Sequence, residues 1–112
     1  MMTTNDTPDF CRLAEKRLYA YMDLKAKVEN DLSFSQSEAD KRDIEEIKRI
    51  EDAVNSVSGD YYGDAFRMRY FERKTDEHVA ELCNCDTTTI RRNRKRLLKR
   101  VAVRLFGTEA IS

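Results

Sequence analysis

Between positions 91 and 104 the chain carries eight basic side chains, Arg91, Arg92, Arg94, Lys95, Arg96, Lys99, Arg100 and Arg104, and no acid. A helix this cationic repels itself in isolation, whereas nearby phosphates offset the repulsion and release condensed counterions. The chemistry on offer is therefore phosphate binding, and position along the helix divides it in two. Thr87, Thr88, Arg91 and Arg92 stand at the start of the predicted helix, the end that meets base edges when a recognition helix enters a major groove. Threonine can touch a thymine methyl or donate a hydrogen bond, and arginine can grip guanine O6 and N7 together. Arg94, Lys95, Arg96, Lys99 and Arg100 follow, where contacts go to phosphates, which position a protein without specifying sequence. Charge runs are more often solvated faces, so the reading depends on the elements that hold this one.

Those elements have the layout of a helix-turn-helix. Thr75 is placed to cap a helix over Asp76 to Cys83, with Asp76 and Glu77 in the first turn, where negative charge suits the helix dipole. Asn84 stands where a left-handed residue ends a helix. Asp86 or Thr87 then opens a second helix that continues to about Phe106, with Gly107 as its stop. Val79, Ala80 and Leu82 are expected to face this second helix, Ala80 at the point of closest approach. Cys83 and Cys85 read as small residues packed into the turn. Ile90, Leu97, Leu98, Val101, Leu105 and Phe106 form the inner stripe of the second helix. A preceding helix over Tyr61 to Phe71 buries Phe66, Tyr70 and Phe71, with Met68 or Arg69, and Tyr61 and Tyr62 are read as packing around it.

Upstream, Thr7-Pro8 is a helix-start signal. A long helix to Asn30 follows, with Phe10, Leu13, Ala14, Leu18, Tyr21, Leu24 and Val28 on one stripe. Ser35 and Glu38 fit a capping box for a helix over Gln36 to Val57. Its stripe, Ile44, Ile47, Ile50, Val54 and Val57, is narrow and close to heptad spacing, which suits a helical hairpin or a coiled coil. Pairing with one helix would leave its edges open, so a homo-oligomer, a dimer first of all, is the expected state. With 3 Gly, 1 Pro and 38% charged residues in 112, the chain reads as all-α: an N-terminal helical pair over 1–59, then a three-helix module over 60–112, divided at Ser58-Gly59-Asp60. The formal net charge is zero, but residues 1–60 hold 14 acids and 9 Lys/Arg, while 61–112 hold 7 acids and 12 Lys/Arg. Such asymmetry marks a nucleic-acid-facing end. The C-terminal module is expected to bind DNA without residues 1–59.

Ala65 to Gly107, through the segments RYF, VAELCNCDTTTIRR and RLLKRVAVRLFG, resembles region 4 of the sigma-70 factors, and more closely phage regulators of the ArpU/RinA type. The resemblance implies a small phage- or prophage-encoded transcription regulator that binds double-stranded DNA, with RNA polymerase as a further partner. His78 and Asn93 depart from the pattern, at positions where Glu and an apolar residue are common. The region that melts promoter DNA is missing, which argues against a complete sigma factor. Two alternatives stand beside the regulator: a phage small terminase subunit, in which the DNA-binding part usually comes first, and a sigma-like module that docks on polymerase.

Other chemistry has little support. Cys83 and Cys85 with the sole histidine, His78, fall short of a four-ligand zinc site. No phosphate loop, dinucleotide turn or nucleophile–base set is present, so neither an enzyme nor a cofactor is expected. No apolar run approaches the ~20 residues that span a bilayer, and residues 1–9 lack the apolar core of a signal peptide. The chain reads as cytoplasmic, with reduced thiols.

Overall fold

The computed structural model describes residues 9–30 and 38–107. Five helices follow one another: α1 (Asp9–Asn30), α2 (Glu38–Asn55), α3 (Gly63–Phe71), α4 (Asp76–Cys83) and α5 (Thr87–Phe106). The fold is all-α, with no strand among the described residues. The helix start expected at Thr7-Pro8 and Ser35 of the expected capping pair lie outside the described residues.

The α2–α3 junction departs from the sequence expectation. α2 ends at Asn55 rather than Val57, because the chain tightens into turns in which Val57 N–H bonds to Val54 O at 3.1 Å and Ser58 N–H to Asn55 O at 3.0 Å. α3 opens at Gly63 rather than Tyr61, because Asp60 holds the intervening residues. Its Oδ1 accepts from Tyr62 N–H at 2.9 Å, and its carbonyl accepts from Gly63 N–H at 2.8 Å, a local turn that competes with helix. Gly63 is required here: a Cβ would lie 2.5 Å from Val57 O and 2.9 Å from Ser58 O, both backbone atoms.

Two apolar clusters hold the helices. The larger combines Cys11, Ala14, Leu18 and Tyr21 of α1, Ile47, Ile50, Ala53 and Val54 of α2, Val57 of the turn that follows, Phe66 and Tyr70 of α3, and Leu97, Leu98, Val101 and Ala102 of α5. The smaller joins Ala65, Val79, Ala80 and Ile90. α5 therefore belongs to both, and the larger cluster runs across residue 60.

This arrangement changes the reading of the α2 stripe on which the expected oligomer rested. The α2 seam is covered within one chain, since α1 and α5 both pack against α2. Ile50, Val54 and Val57 are buried, Ile47 is only 9% exposed, and Ile44 is half-buried. A narrow stripe suffices because two helices close on it. The hairpin of α1 and α2 is present, and among the described residues the inner part of the stripe is covered within the chain. Leu13 and Leu82, expected inside, are 52% and 54% exposed. At about 100° per residue, Leu13 falls off the face centred on Ala14 and Leu18, and Leu82 off the face shared by Val79 and Ala80.

Candidate nucleic-acid interface

The unit that presents the basic run is built as its sequence suggests. Thr75 Oγ1 accepts from His78 N–H at 3.1 Å and starts α4. Asn84 ends it in the left-handed region, with φ 57° and ψ 49°, and Cys85 N–H returns to Ala80 O at 3.0 Å. The chain thus reverses in three residues, and α5 starts at Thr87. Val79 and Ala80 pack against Ile90 of α5 and Ala65 of α3. The turn cysteines divide: Cys85 is half-buried, whereas Cys83 is exposed and does not pack into the turn as expected.

The basic side chains of α5 have different neighbours, which sort them. Arg94 is a correction. Expected at the phosphates, its side chain is only 11% exposed and turned inward. Nε and Nη2 donate to Asp76 Oδ1 and Oδ2 at 2.9 and 3.0 Å. Nη1 donates to Tyr70 OH at 3.1 Å and Glu15 Oε2 at 3.3 Å, and Tyr70 OH itself donates to Glu15 Oε2. Three helices, α1, α3 and α4, are tied to α5 through one guanidinium. Burial pushes the Asp76 carboxyl up, but the hydrogen bonds and charge of Arg94, with the charges of Arg69 and Arg91, outweigh it and hold it below the usual carboxylate range. Burial and the Glu15 hydrogen bond push the Tyr70 phenol well above its ordinary value. An arginine so engaged is an internal joint.

Arg96 and Arg100 share one carboxylate. Arg96 Nη1 and Nη2 lie 2.9 Å from Asp60 Oδ2 and Oδ1, and Arg100 Nη1 lies 3.6 Å from Oδ2. The Arg96 fork and the Tyr62 N–H lower the Asp60 carboxyl to about 2. Arg104 forks Asp52 of α2 at 2.9 and 3.2 Å. Arg91 stays exposed, with Nε 3.8 Å from Asp76 Oδ2.

Arg92, Lys95 and Lys99 remain. All three are exposed, and none has an ion-pair partner within 4.0 Å among the described residues. With exposed Thr88 they recur at steps of four, three and four, which places them on one outward stripe. At 1.5 Å per residue the stripe runs about 16 Å. Thr87 is half-buried beside it. Of the nine residues expected to contact DNA, then, four form the outward stripe, Arg91 and Arg96 flank it, Arg100 lies further round, Thr87 is partly covered and Arg94 is internal.

Glu15, Asp60, Tyr70 and Asp76 are the partners that sequence reading missed. Glu15 and Tyr70 are 55 residues apart, beyond any local pattern. Tyr61, expected to pack, is instead 90% exposed, because the Asp60 turn carries it ahead of α3. Tyr62 crosses it edge to face, with ring centroids 5.0 Å apart. His78 is exposed, and no group of three or more His, Cys, Asp or Glu among the described residues could hold a metal ion. No helix among them is long and apolar enough to cross a membrane. No protein-family profile, curated protein or solved structure matches the chain.

Proposed function

We propose that this chain is a sequence-specific double-stranded DNA-binding protein, a transcription regulator of the kind its resemblance to phage regulators implies. α4, the turn and α5 act as the helix-turn-helix, and α5 lies in the major groove. The observation that carries the reading is the stripe Thr88, Arg92, Lys95 and Lys99: outward, cationic and without an acid partner among the described residues. Buried or paired arginines need no ligand, whereas three unpaired cations on one helix face repel one another until phosphates approach. The stripe has the polarity of a recognition helix. Thr88 and Arg92 lie in the first two turns, where base edges are met, and Lys95 and Lys99 follow toward the backbone.

The internal joint suits this role. A recognition helix must be held in one orientation, and Arg94 locks α5 to α1, α3 and α4 from the side opposite the groove. The test is selection of bound sequences from random duplex DNA by the intact protein. Enrichment of a defined motif, lost with Arg92→Ala, is the expected result. Retention of no duplex, or retention without any motif, would overturn sequence-specific binding.

A further inference from the structure

Asp60 pairs with two exposed arginines of α5. Nη1 and Nη2 of Arg96 lie 2.9 Å from its two oxygens, the bidentate geometry that arginine also makes with a phosphate. Arg100 reaches the same carboxylate at 3.6 Å. The carboxylate is held in place by Tyr62 N–H at 2.9 Å and stands on the turn before α3, so it does not move with α5. The arginines are not buried by this contact: their side chains are 45% and 55% exposed, open to a competing anion. Arg96 flanks the outward stripe, with Arg100 one turn further along.

We infer that Asp60 is a built-in competitor for DNA phosphate, which occupies Arg96 and Arg100 and lowers sequence-independent binding. The inference rests on the DNA-binding reading above. Sequence-independent affinity comes from the number of phosphates neutralised. A protein that must find one site among many gains from subtracting contacts that every duplex offers equally. Asp60 removes up to two such contacts and leaves the stripe Thr88, Arg92, Lys95 and Lys99 untouched. Its carboxyl, lowered to about 2, stays ionised at any pH at which the protein works.

The test is binding of random-sequence duplex to the full chain across a range of salt concentrations. Asp60→Asn keeps the shape and an acceptor for Tyr62 N–H but removes the charge. Each phosphate contact adds about 0.9 to the slope of log affinity against log salt. Releasing Arg96 alone should therefore raise affinity at 0.1 M salt roughly eightfold, and releasing both arginines roughly sixtyfold. Asp60→Glu should behave as the wild type, and Arg96→Ala added to Asp60→Asn should cancel most of the gain. Asp60→Ser is the second neutral variant, in case Asn disturbs the turn. A folded neutral variant with wild-type slope and affinity overturns the inference, and so does failure of both to fold, which would make Asp60 a residue of the turn alone. If the wild type binds no duplex at any salt, the DNA reading itself fails. If it binds and loses slope with Lys99→Ala while Asp60→Asn changes nothing, only the competitor role falls.

Discussion

Arg94 and Asp76 meet fork to fork, Nε 2.9 Å from Oδ1 and Nη2 3.0 Å from Oδ2, so the middle of α5 is locked to the first turn of α4. Removing one side leaves the other buried charge only its secondary partners, Arg69 Nε at 3.2 Å for Asp76 and Glu15 Oε2 at 3.3 Å for Arg94, so the cost lies at the low end of the about 3–5 kcal/mol of a broken buried pair. Arg94→Met is therefore expected to lose about 3 kcal/mol in urea denaturation, and Asp76→Asn a similar amount. Their effects should not add, since both break the same contact. A loss within experimental error for Arg94→Met would show that the joint contributes no stability.

The same carboxylates set the acid limb of stability. Asp76 has its folded pKa lowered by the Arg94 hydrogen bonds and charge against the opposing effect of burial, and Asp60 is lowered to about 2 by the Arg96 fork. A folded pKa below the unfolded value contributes stability that is complete above the unfolded value, about 4, and lost as pH falls through the folded one. Wild-type stability should thus be level near neutrality and decline as pH falls from about 4 toward 2. Asp76→Asn should start lower and decline less steeply. Denaturation midpoints measured over this range check it; parallel curves for the two proteins would contradict it.

Local signals were legible in the sequence. The Thr75 cap, the left-handed Asn84 and the bounds of α4 and α5 follow from residue types that act within a few positions. Contacts across the chain were not. The α2 seam looks open when α2 is read alone, and only the packing of both α1 and α5 closes it. Arg94 looks like any other arginine of the run. Helical spacing does place it on the buried face, four residues after Ile90, three and four before Leu97 and Leu98 and seven before Val101, a signal that reading the run by charge passes over, and nothing nearby in sequence announces Glu15, Tyr70 and Asp76 as partners. The boundary at Ser58-Gly59-Asp60 marks a real turn, but Leu97, Leu98, Val101 and Ala102 reach across it into the core with α1 and α2.

That shared core alters what truncation should do. A fragment of residues 60–112 exposes these four side chains and Phe66 and Tyr70, all buried in the intact chain. Each large apolar side chain returned to water gives up roughly 1.5–3 kcal/mol, comparable in sum to the whole stability of a small domain. The fragment should show reduced helicity and no cooperative melt. Ile47→Asp should likewise unfold the monomer rather than separate subunits. A fragment that melts cooperatively and binds duplex would show that α3, α4 and α5 stand alone.

The outward stripe makes the sharpest separation of roles. Arg92 lies one turn after Thr88 near the start of α5 and has no ion-pair partner among the described residues. Lys99 lies two turns further on, where a helix inclined in the groove has left the bases for the backbone. A bidentate arginine–guanine contact discriminates by about 1–3 kcal/mol, while a lysine at a phosphate acts on every duplex alike. Arg92→Ala should therefore cost the preferred duplex about 1–3 kcal/mol more than a random one. Lys99→Ala should weaken both equally and lower the salt slope by about one unit. Lys95→Ala should follow Lys99. Arg91→Ala should cost less discrimination than Arg92→Ala, because Arg91 Nε already lies 3.8 Å from Asp76 and would give up that attraction to reach a base. Titrations of preferred and random duplexes at several salt concentrations separate these cases, with far-ultraviolet circular dichroism to show that each variant is folded. If all the variants lose equally on both duplexes, α5 binds phosphate along its whole length and reads no bases.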